Sequence, residues 1–171
     1  ITIDKNIFTD DKFGGLDLHT NLKVHSYDTN KLSSFLVNNL DWESNDIIIN
    51  STIKNKFLGK LKNINYEAKN IDWFKKETTN ELYGALGLLS EIDFQKSNNN
   101  SIHTFTPKLL LRFSPGSMRK EENGSRLTVT NAFNLERLEN NTNFETGNTA
   151  TMGFDYSIKN NDIEKFNFSV A

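Results

Sequence analysis

Hydrophobic and polar residues alternate along most of this chain with a period of two, which is the pattern of β-strands with two different faces. Between Leu16 and Val24, the even-numbered residues are apolar or Thr and the odd-numbered residues are polar. Similar alternation recurs in Leu32–Trp42, Leu82–Phe94, Phe105–Phe113, Leu127–Leu135, Ala150–Ile158 and Phe166–Val170. The sequence therefore predicts an all-β fold of about eight consecutive antiparallel strands, without a helix. We expect residues 1–12 to form a leading strand end or loop, and residues 13–171 to form consecutive hairpins.

The stretch from Asp46 to Trp73 does not fit a single register. Its first part places apolar residues on one face and lysines on the other: Ile47, Ile49, Ile53, Phe57, Leu61 against Lys54, Lys56, Lys60, Lys62. Ile64, Tyr66 and Ala68 then follow on the face of the lysines. We therefore expect a change of register here, at a bulge near Gly59 or at a turn.

The two faces of the regular strands differ in charge, because one face carries no charged side chain and the other mixes acids, bases and Asn. A β-sandwich with a wet outer face and a membrane β-barrel with a polar lumen both produce this pattern. Several runs span about 9–14 residues, closer to the 9–11 that cross a bilayer than to the 5–6 of soluble strands. Aromatic residues lie near strand ends, as in an interfacial girdle: Trp42, Phe94, Phe105, Phe113, Tyr156. The pattern favours the barrel and leaves the sandwich open.

Composition narrows the classes further. With 171 residues the chain is one domain or part of a larger one, and 25 Asn against 5 Ala suits strands and turns. Lys plus Arg is 20 against 22 acids, which argues against a nucleic-acid partner. The absence of cysteine excludes disulfides within this sequence and thiolate chemistry. The chain begins at Ile1 and ends inside an alternating run, so we expect an interior fragment of a longer protein.

The residues offer little chemistry. His19 and His25 lie about 20 Å apart along one strand, too far to share a metal. Glu91 and Asp93 are a possible carboxylate pair, and ordinary charge on a wet face explains them better. The lysines at positions 54–62 could bind an anionic lipid sugar, but a solvated face explains them better. We therefore expect no catalytic residue, no metal and no cofactor, and a protein that is not an enzyme.

Three ordered motifs occupy the C-terminal third: TPKLLLRFSPG from Thr106, RLTVTNAFNLERL from Arg126 and ETGNTATMGFDY from Glu145. Together they resemble the C-terminal barrel domain of the LptD (OstA) family of lipopolysaccharide-assembly outer-membrane proteins, in its alphaproteobacterial form. The matching residues are Thr106, Pro107, Lys108, Arg112, Pro115, Asn131, Phe133, Leu135, Arg137, Glu145, Gly147, Gly153 and Tyr156. This resemblance covers about 50 residues, and the preceding hundred match only in style. Asn134 departs from the family, which more often has Ser there.

The resemblance implies an antiparallel up-and-down transmembrane β-barrel segment, open as a fragment, in a Gram-negative outer membrane. The barrel would carry lipopolysaccharide from the periplasmic Lpt bridge into the outer leaflet without covalent chemistry. Implied partners are lipopolysaccharide, outer-membrane lipid, an LptE-like plug lipoprotein, and the bridge through an N-terminal jelly-roll domain. The alternatives are another outer-membrane barrel, a porin or substrate transporter, and a soluble carbohydrate- or protein-binding β-sandwich.

A facing prediction follows for the strand at the first motif. Leu109, Leu111 and Phe113 are expected to face lipid, because the odd-numbered face of this run carries no charge. Lys108 and Arg112 are expected to face a wet lumen, where either head group stays hydrated. Arg112→Lys would then be nearly silent for folding.

Overall fold

A computed structural model describes residues 1–27, 30–50, 52–71, 74–75, 77–98, 100–119, 127–138, 140–160 and 163–171. Trp73 and Arg126, which bound two of the segments named above, lie outside these residues. The described part contains ten strands in one antiparallel sheet. They are β1 (Thr2–Asp10), β2 (Gly14–Tyr27), β3 (Lys31–Glu43), β4 (Ile47–Ile49), β5 (Ile53–Lys69), β6 (Thr79–Ile92), β7 (Phe94–Asn98), β8 (Ser101–Ser114), β9 (Gly147–Asn160) and β10 (Ile163–Val170).

The strands follow one another across the sheet in the order β1-β2-β3-β5-β6-β8-β9-β10. Short β4 pairs with the start of β5, and short β7 pairs with the start of β8, so these two add to the eight strands of the main order to give ten. The sheet is not closed, and β1 and β10 form its two edges. The prediction of one all-β antiparallel sheet is confirmed, since the described residues form one sheet rather than two packed face to face.

Alternation along the strands gives the sheet two unlike faces. The bare face, as we call it, carries exposed apolar side chains such as Leu61, Leu86, Leu111, Phe113 and Met152. The covered face carries most of the charged residues and lies against the segment that joins β8 to β9. In β8, the odd residues Leu109–Phe113 lie on the bare face, whereas Lys108, Leu110 and Arg112 lie on the covered face. The predicted separation of these side chains is therefore confirmed.

β5 is one unbroken strand of 17 residues, so the expected bulge at Gly59 is wrong. Its register runs continuously against β3, from Glu43↔Leu58 to Leu32↔Lys69, and also against β6. The change from lysine to apolar residues happens on the covered face without a change of register. Different groups cover the N-terminal and C-terminal halves of β5, so the side chains are polar on the covered face of one half and mostly apolar on that of the other.

The C-terminal half of β5 contributes to a small apolar core on the covered face. Val37 and Ile64 are buried there, and the rings of Phe35, Tyr66 and Phe74 meet at centroid distances of 5.1–5.7 Å. Arg119 lies over two of these rings, about 5 Å from each centroid. Arg119 therefore joins the start of the β8–β9 connection to the core through cation–π contacts.

The strand predicted at Leu127–Leu135 is absent from the described structure, which corrects the sequence interpretation. These residues form successive turns, in which the amides of Asn131 and Ala132 both donate to the carbonyl oxygen of Thr128. The side chain of Asn131 closes the first turn by accepting from the amide of Thr128 at 2.8 Å. Of the alternating residues, Asn131 and Leu135 are buried, whereas Leu127 and Val129 are exposed. We call the described residues between 127 and 146 the covering loop.

Candidate functional site

The covering loop packs onto β6 and β8 at a shallow place in the covered face. Ala85 and Gly87 have almost no side chain, and Leu135 and Phe144 of the loop fill the space above β6. The ring of Phe144 is fully buried and stacks on Tyr83 at a centroid distance of 5.9 Å. Small residues on the sheet thus receive large residues from the loop, which fixes where the loop lies.

Arg112 is the main polar anchor of the loop. Its Nε donates to the carbonyl oxygen of Leu135 at 2.7 Å, and its Nη1 donates to that of Gly147 at 3.2 Å. Its Nη2 donates to the carbonyl oxygen of Glu145, and the guanidinium also lies 5.8 Å from the ring centroid of Phe144. The side chain is 3% exposed, so the expected wet lumen around Arg112 is wrong. The loop covers it and supplies backbone carbonyls in place of water.

A second polar anchor lies at Lys62, which is 1% exposed. Its ammonium donates to the carboxylate of Glu136 and to the carbonyl oxygens of Asn140 and Asn143 in the loop. Lys60 adds a 3.4 Å ion pair to the same Glu136. Such buried charge is tolerated because every donor of the ammonium finds an acceptor. The lysine face was expected to be solvated, but all four lysines are ion-paired, and Lys60 and Lys62 are also largely shielded from solvent.

The covering loop is also closed within itself. Arg137 and Glu145 form a two-pronged ion pair, with Nε donating to Oε2 at 2.8 Å and Nη2 donating to Oε1. Asn131 donates from Nδ2 to the carbonyl oxygen of Arg137 at 3.2 Å. Bidentate Arg–carboxylate pairs have a fixed geometry, so this pair sets the shape of the loop between its two contacts with the sheet.

Most residues of the sequence motifs meet around this loop. The following nine belong to the loop or to its contacts on β8 and β9: Lys108, Arg112, Asn131, Phe133, Leu135, Arg137, Glu145, Gly147, Gly153. A Cβ on Gly153 would lie 2.9 Å from Cζ of Phe133, so the loop approaches β9 closely there. Pro107 and Tyr156 lie on the bare face, Thr106 donates to Asp93 at 2.7 Å, and Pro115 follows the end of β8.

Glu91 and Asp93, the two carboxylates considered as a pair in the sequence, form ion pairs with different lysines. Glu91 lies 3.3 Å from the ammonium of Lys108, whereas Asp93 lies 2.6 Å from that of Lys54. His19 contacts Asp4 at 2.8 Å. Within the described residues, no group of three His, Asp or Glu is arranged to hold a metal ion.

A polar cavity of about 680 Å³ opens beside the covering loop, between the loop and β3, β5 and β6. Asn39, Asp41, Lys60 and Glu91 line it from the sheet, and Phe133 and Glu136 line it from the loop. The alternation pattern did not identify this site, because Asn39 and Asp41 look like ordinary wet-face residues in sequence. The sequence did contain a signal for the covering loop: the small residues Ala85 and Gly87 on β6 leave room for an apolar residue such as Leu135 from the segment predicted as a strand.

The bare face carries a row of aromatic rings across four neighbouring strands. Phe94, Phe105, Phe154 and Phe168 follow one another at centroid distances of 6.4, 5.2 and 6.1 Å. Tyr156 and Phe166 form a further contact at 6.3 Å, and the Tyr156 hydroxyl lies 2.8 Å from Nδ1 of His103. We call these rings the aromatic row. They lie together because each belongs to the same alternating face of adjacent strands.

Filling the shallow place on β6 is expected to displace the covering loop. A Cβ on Gly87 would already lie 2.6 Å from Cδ2 of Leu135, so Gly87→Leu overpacks this contact at a cost of about 1–3 kcal/mol. Limited proteolysis of residues 127–146 should become faster. The matched control is Gly15→Leu, because the nearest atom to a Cβ there is the carbonyl oxygen of Phe8 at 4.0 Å. Equal protection in both variants would contradict the described packing.

The described part of the chain has no helix long and apolar enough to cross a membrane. Comparison with models of known protein families and with curated proteins finds no match for this chain.

Proposed function

We propose that this chain is a stretch of the wall of an outer-membrane β-barrel, and that the barrel transports lipopolysaccharide to the outer leaflet. In this proposal the bare face contacts lipid and the covered face lines the lumen. The observation that carries the membrane assignment is the aromatic row, which borders a charge-free apolar region on the same face of β8 and β9. Membrane barrels have such rings where the apolar band meets the headgroups.

The dimensions of the apolar region support this assignment. From Phe105 to Phe113, β8 rises about 26 Å at ~3.3 Å per residue. Strands tilted by about 35–45° would convert this into roughly 20 Å of membrane depth, close to the ~25 Å band of known barrels. In water, an apolar face of this extent would be a strong aggregation hazard.

The connections between strands support an orientation. The β8–β9 connection spans residues 115–146, and the β1–β2 turn at the opposite end of the sheet spans residues 11–13. Outer-membrane barrels have long extracellular loops and short periplasmic turns. The covering loop would therefore enter the lumen from the extracellular side.

Lipopolysaccharide as the substrate rests on the resemblance to the LptD family. Nine of the thirteen matching residues form one connected element around the covering loop, so the resemblance lies in a single structural unit rather than in scattered positions. A porin or another transporter would also use a two-faced wall, and the experiment below separates it from a lipopolysaccharide transporter.

The test is photo-crosslinking in Gram-negative cells that express the full-length protein. A photoreactive residue at exposed Asn134, in the covering loop, is expected to capture lipopolysaccharide, and capture should stop when lipopolysaccharide synthesis is blocked. The matched control is the same residue at Lys12, in the turn at the opposite end of the sheet, which should capture none. Outer-membrane fractionation without capture at Asn134 would indicate another barrel, and a water-soluble protein would overturn the membrane assignment.

A further inference from the structure

The lysines of the polar cavity are already paired. Lys60 lies 2.7 Å from Asp41 and 3.4 Å from Glu136. Lys108 lies 2.7 Å from Asp155 and 3.3 Å from Glu91. Each of these ammonium groups has two carboxylates within salt-bridge distance, so neither offers an open positive site to an incoming anion.

The third lysine of the lining behaves in the same way. Lys56 lies 3.4 Å from Glu43 and 3.9 Å from Asp46. The lining therefore contains three lysines and four carboxylates, those of residues 41, 43, 91 and 136, which gives a formal charge of 3 − 4 = −1 with His19 neutral. A phosphate entering here would add negative charge beside carboxylates and displace existing ion pairs.

Uncharged hydrogen-bonding groups complete the lining. Asn39, Asn134 and Asn141 contribute amide side chains, and Phe133 contributes an aromatic ring. Oδ1 of Asn39 is buried and has no hydrogen-bond partner among the described residues. A buried acceptor without a donor is costly, so a turn of the Asn39 amide that brings this oxygen to a ligand hydroxyl in the cavity would supply the missing bond.

We infer that this cavity binds an uncharged saccharide. Sugar hydroxyls donate to amide and carboxylate oxygens and accept from ammonium groups, so they match a lining of paired charges and amides. The ring of Phe133 offers an apolar surface to the C–H face of a sugar. A volume of about 680 Å³ lies within the usual range of small-ligand sites, roughly 300–1,000 Å³. This inference rests on the proposed function only for the source of the sugar, which in a lipopolysaccharide transporter is the polysaccharide part of the cargo.

The experiment is calorimetric titration of the detergent-folded full-length protein. The ligands are maltohexaose, lipopolysaccharide polysaccharide freed of lipid and phosphate, and inorganic phosphate. We expect saturable binding of at least one glycan and none of phosphate. Asn39→Ala should weaken glycan binding about three- to tenfold, the value of one hydrogen bond, whereas Asn38→Ala on the opposite face of β3 should leave it unchanged.

The comparison of glycans with phosphate uses the wild-type protein alone, so it stands even if a variant fails to fold. Binding of neither glycan, tighter binding of phosphate, or equal loss in Asn38→Ala and Asn39→Ala would overturn the inference. Binding of the lipopolysaccharide glycan but not of maltohexaose would identify the source of the sugar. Capture of lipopolysaccharide at Asn134 without glycan binding would overturn this inference and leave the transport proposal intact. Glycan binding without capture of lipopolysaccharide at Asn134 would support this inference and contradict the transport proposal.

Discussion

Met152→Arg is expected to prevent stable assembly of the protein in outer membranes. Met152 lies on the bare face of β9, is 72% exposed and pairs with Leu109 of β8. In a barrel wall the new guanidinium would have to enter lipid, at a cost of about 2–4 kcal/mol near the bilayer midplane. On a water-exposed surface the same change would stay within about 0.5 kcal/mol. The expected result therefore differs sharply between the two environments.

Assembly is measured by the resistance of outer-membrane fractions to heat and protease. Leu109→Arg should fail in the same way, because Leu109 lies beside Met152 at the same depth. The control is Asn148→Arg, on the same face of β9 but near its end, where the cost falls to about 0–1 kcal/mol. Normal assembly of Met152→Arg and Leu109→Arg would place this face in water and contradict the proposed barrel.

Arg112→Leu is expected to release the covering loop and to cost about 3–5 kcal/mol, because each buried carbonyl oxygen left without a donor costs about 1–3 kcal/mol. The substitution leaves the carbonyl oxygens of Leu135, Glu145 and Gly147 without their donor. Urea unfolding should shift to lower denaturant, and protease should cut residues 127–146 more rapidly.

The conservative substitution Arg112→Lys separates the contribution of the guanidinium geometry from that of the positive charge. Arg112→Lys keeps the charge but cannot present the planar fork that reaches three carbonyls, so we expect a loss of about 1–3 kcal/mol. The control is Lys108→Arg on the same strand and face, because Lys108 is partly exposed and a guanidinium can keep both carboxylate partners. Equal stability of Arg112→Lys and the wild-type protein would restore the interpretation of a hydrated lumen.

The alternation of residues was sufficient to predict the sheet and its two faces. In β2 and β8, the side chains of each parity stay on one face along the whole strand, so the faces follow from period two alone. Turn residues between these runs then place neighbouring strands side by side. The motif residues of the C-terminal third were also visible in sequence, although their common location around one loop was not.

Only the tertiary structure decided what happens on the covered face. Residues 127–135 alternate like β8, yet in the described structure they bond within their own turns and lie on the sheet. An alternating pattern fits a strand, and it also fits a turn segment that buries only some of its apolar residues on a sheet, as Leu135 is buried here while Leu127 and Val129 are exposed, so the pattern cannot separate them. The hydration of Arg112 and the polarity of β5 are set by the distant segment that covers each position. The residues next to that position in sequence do not show which segment this is.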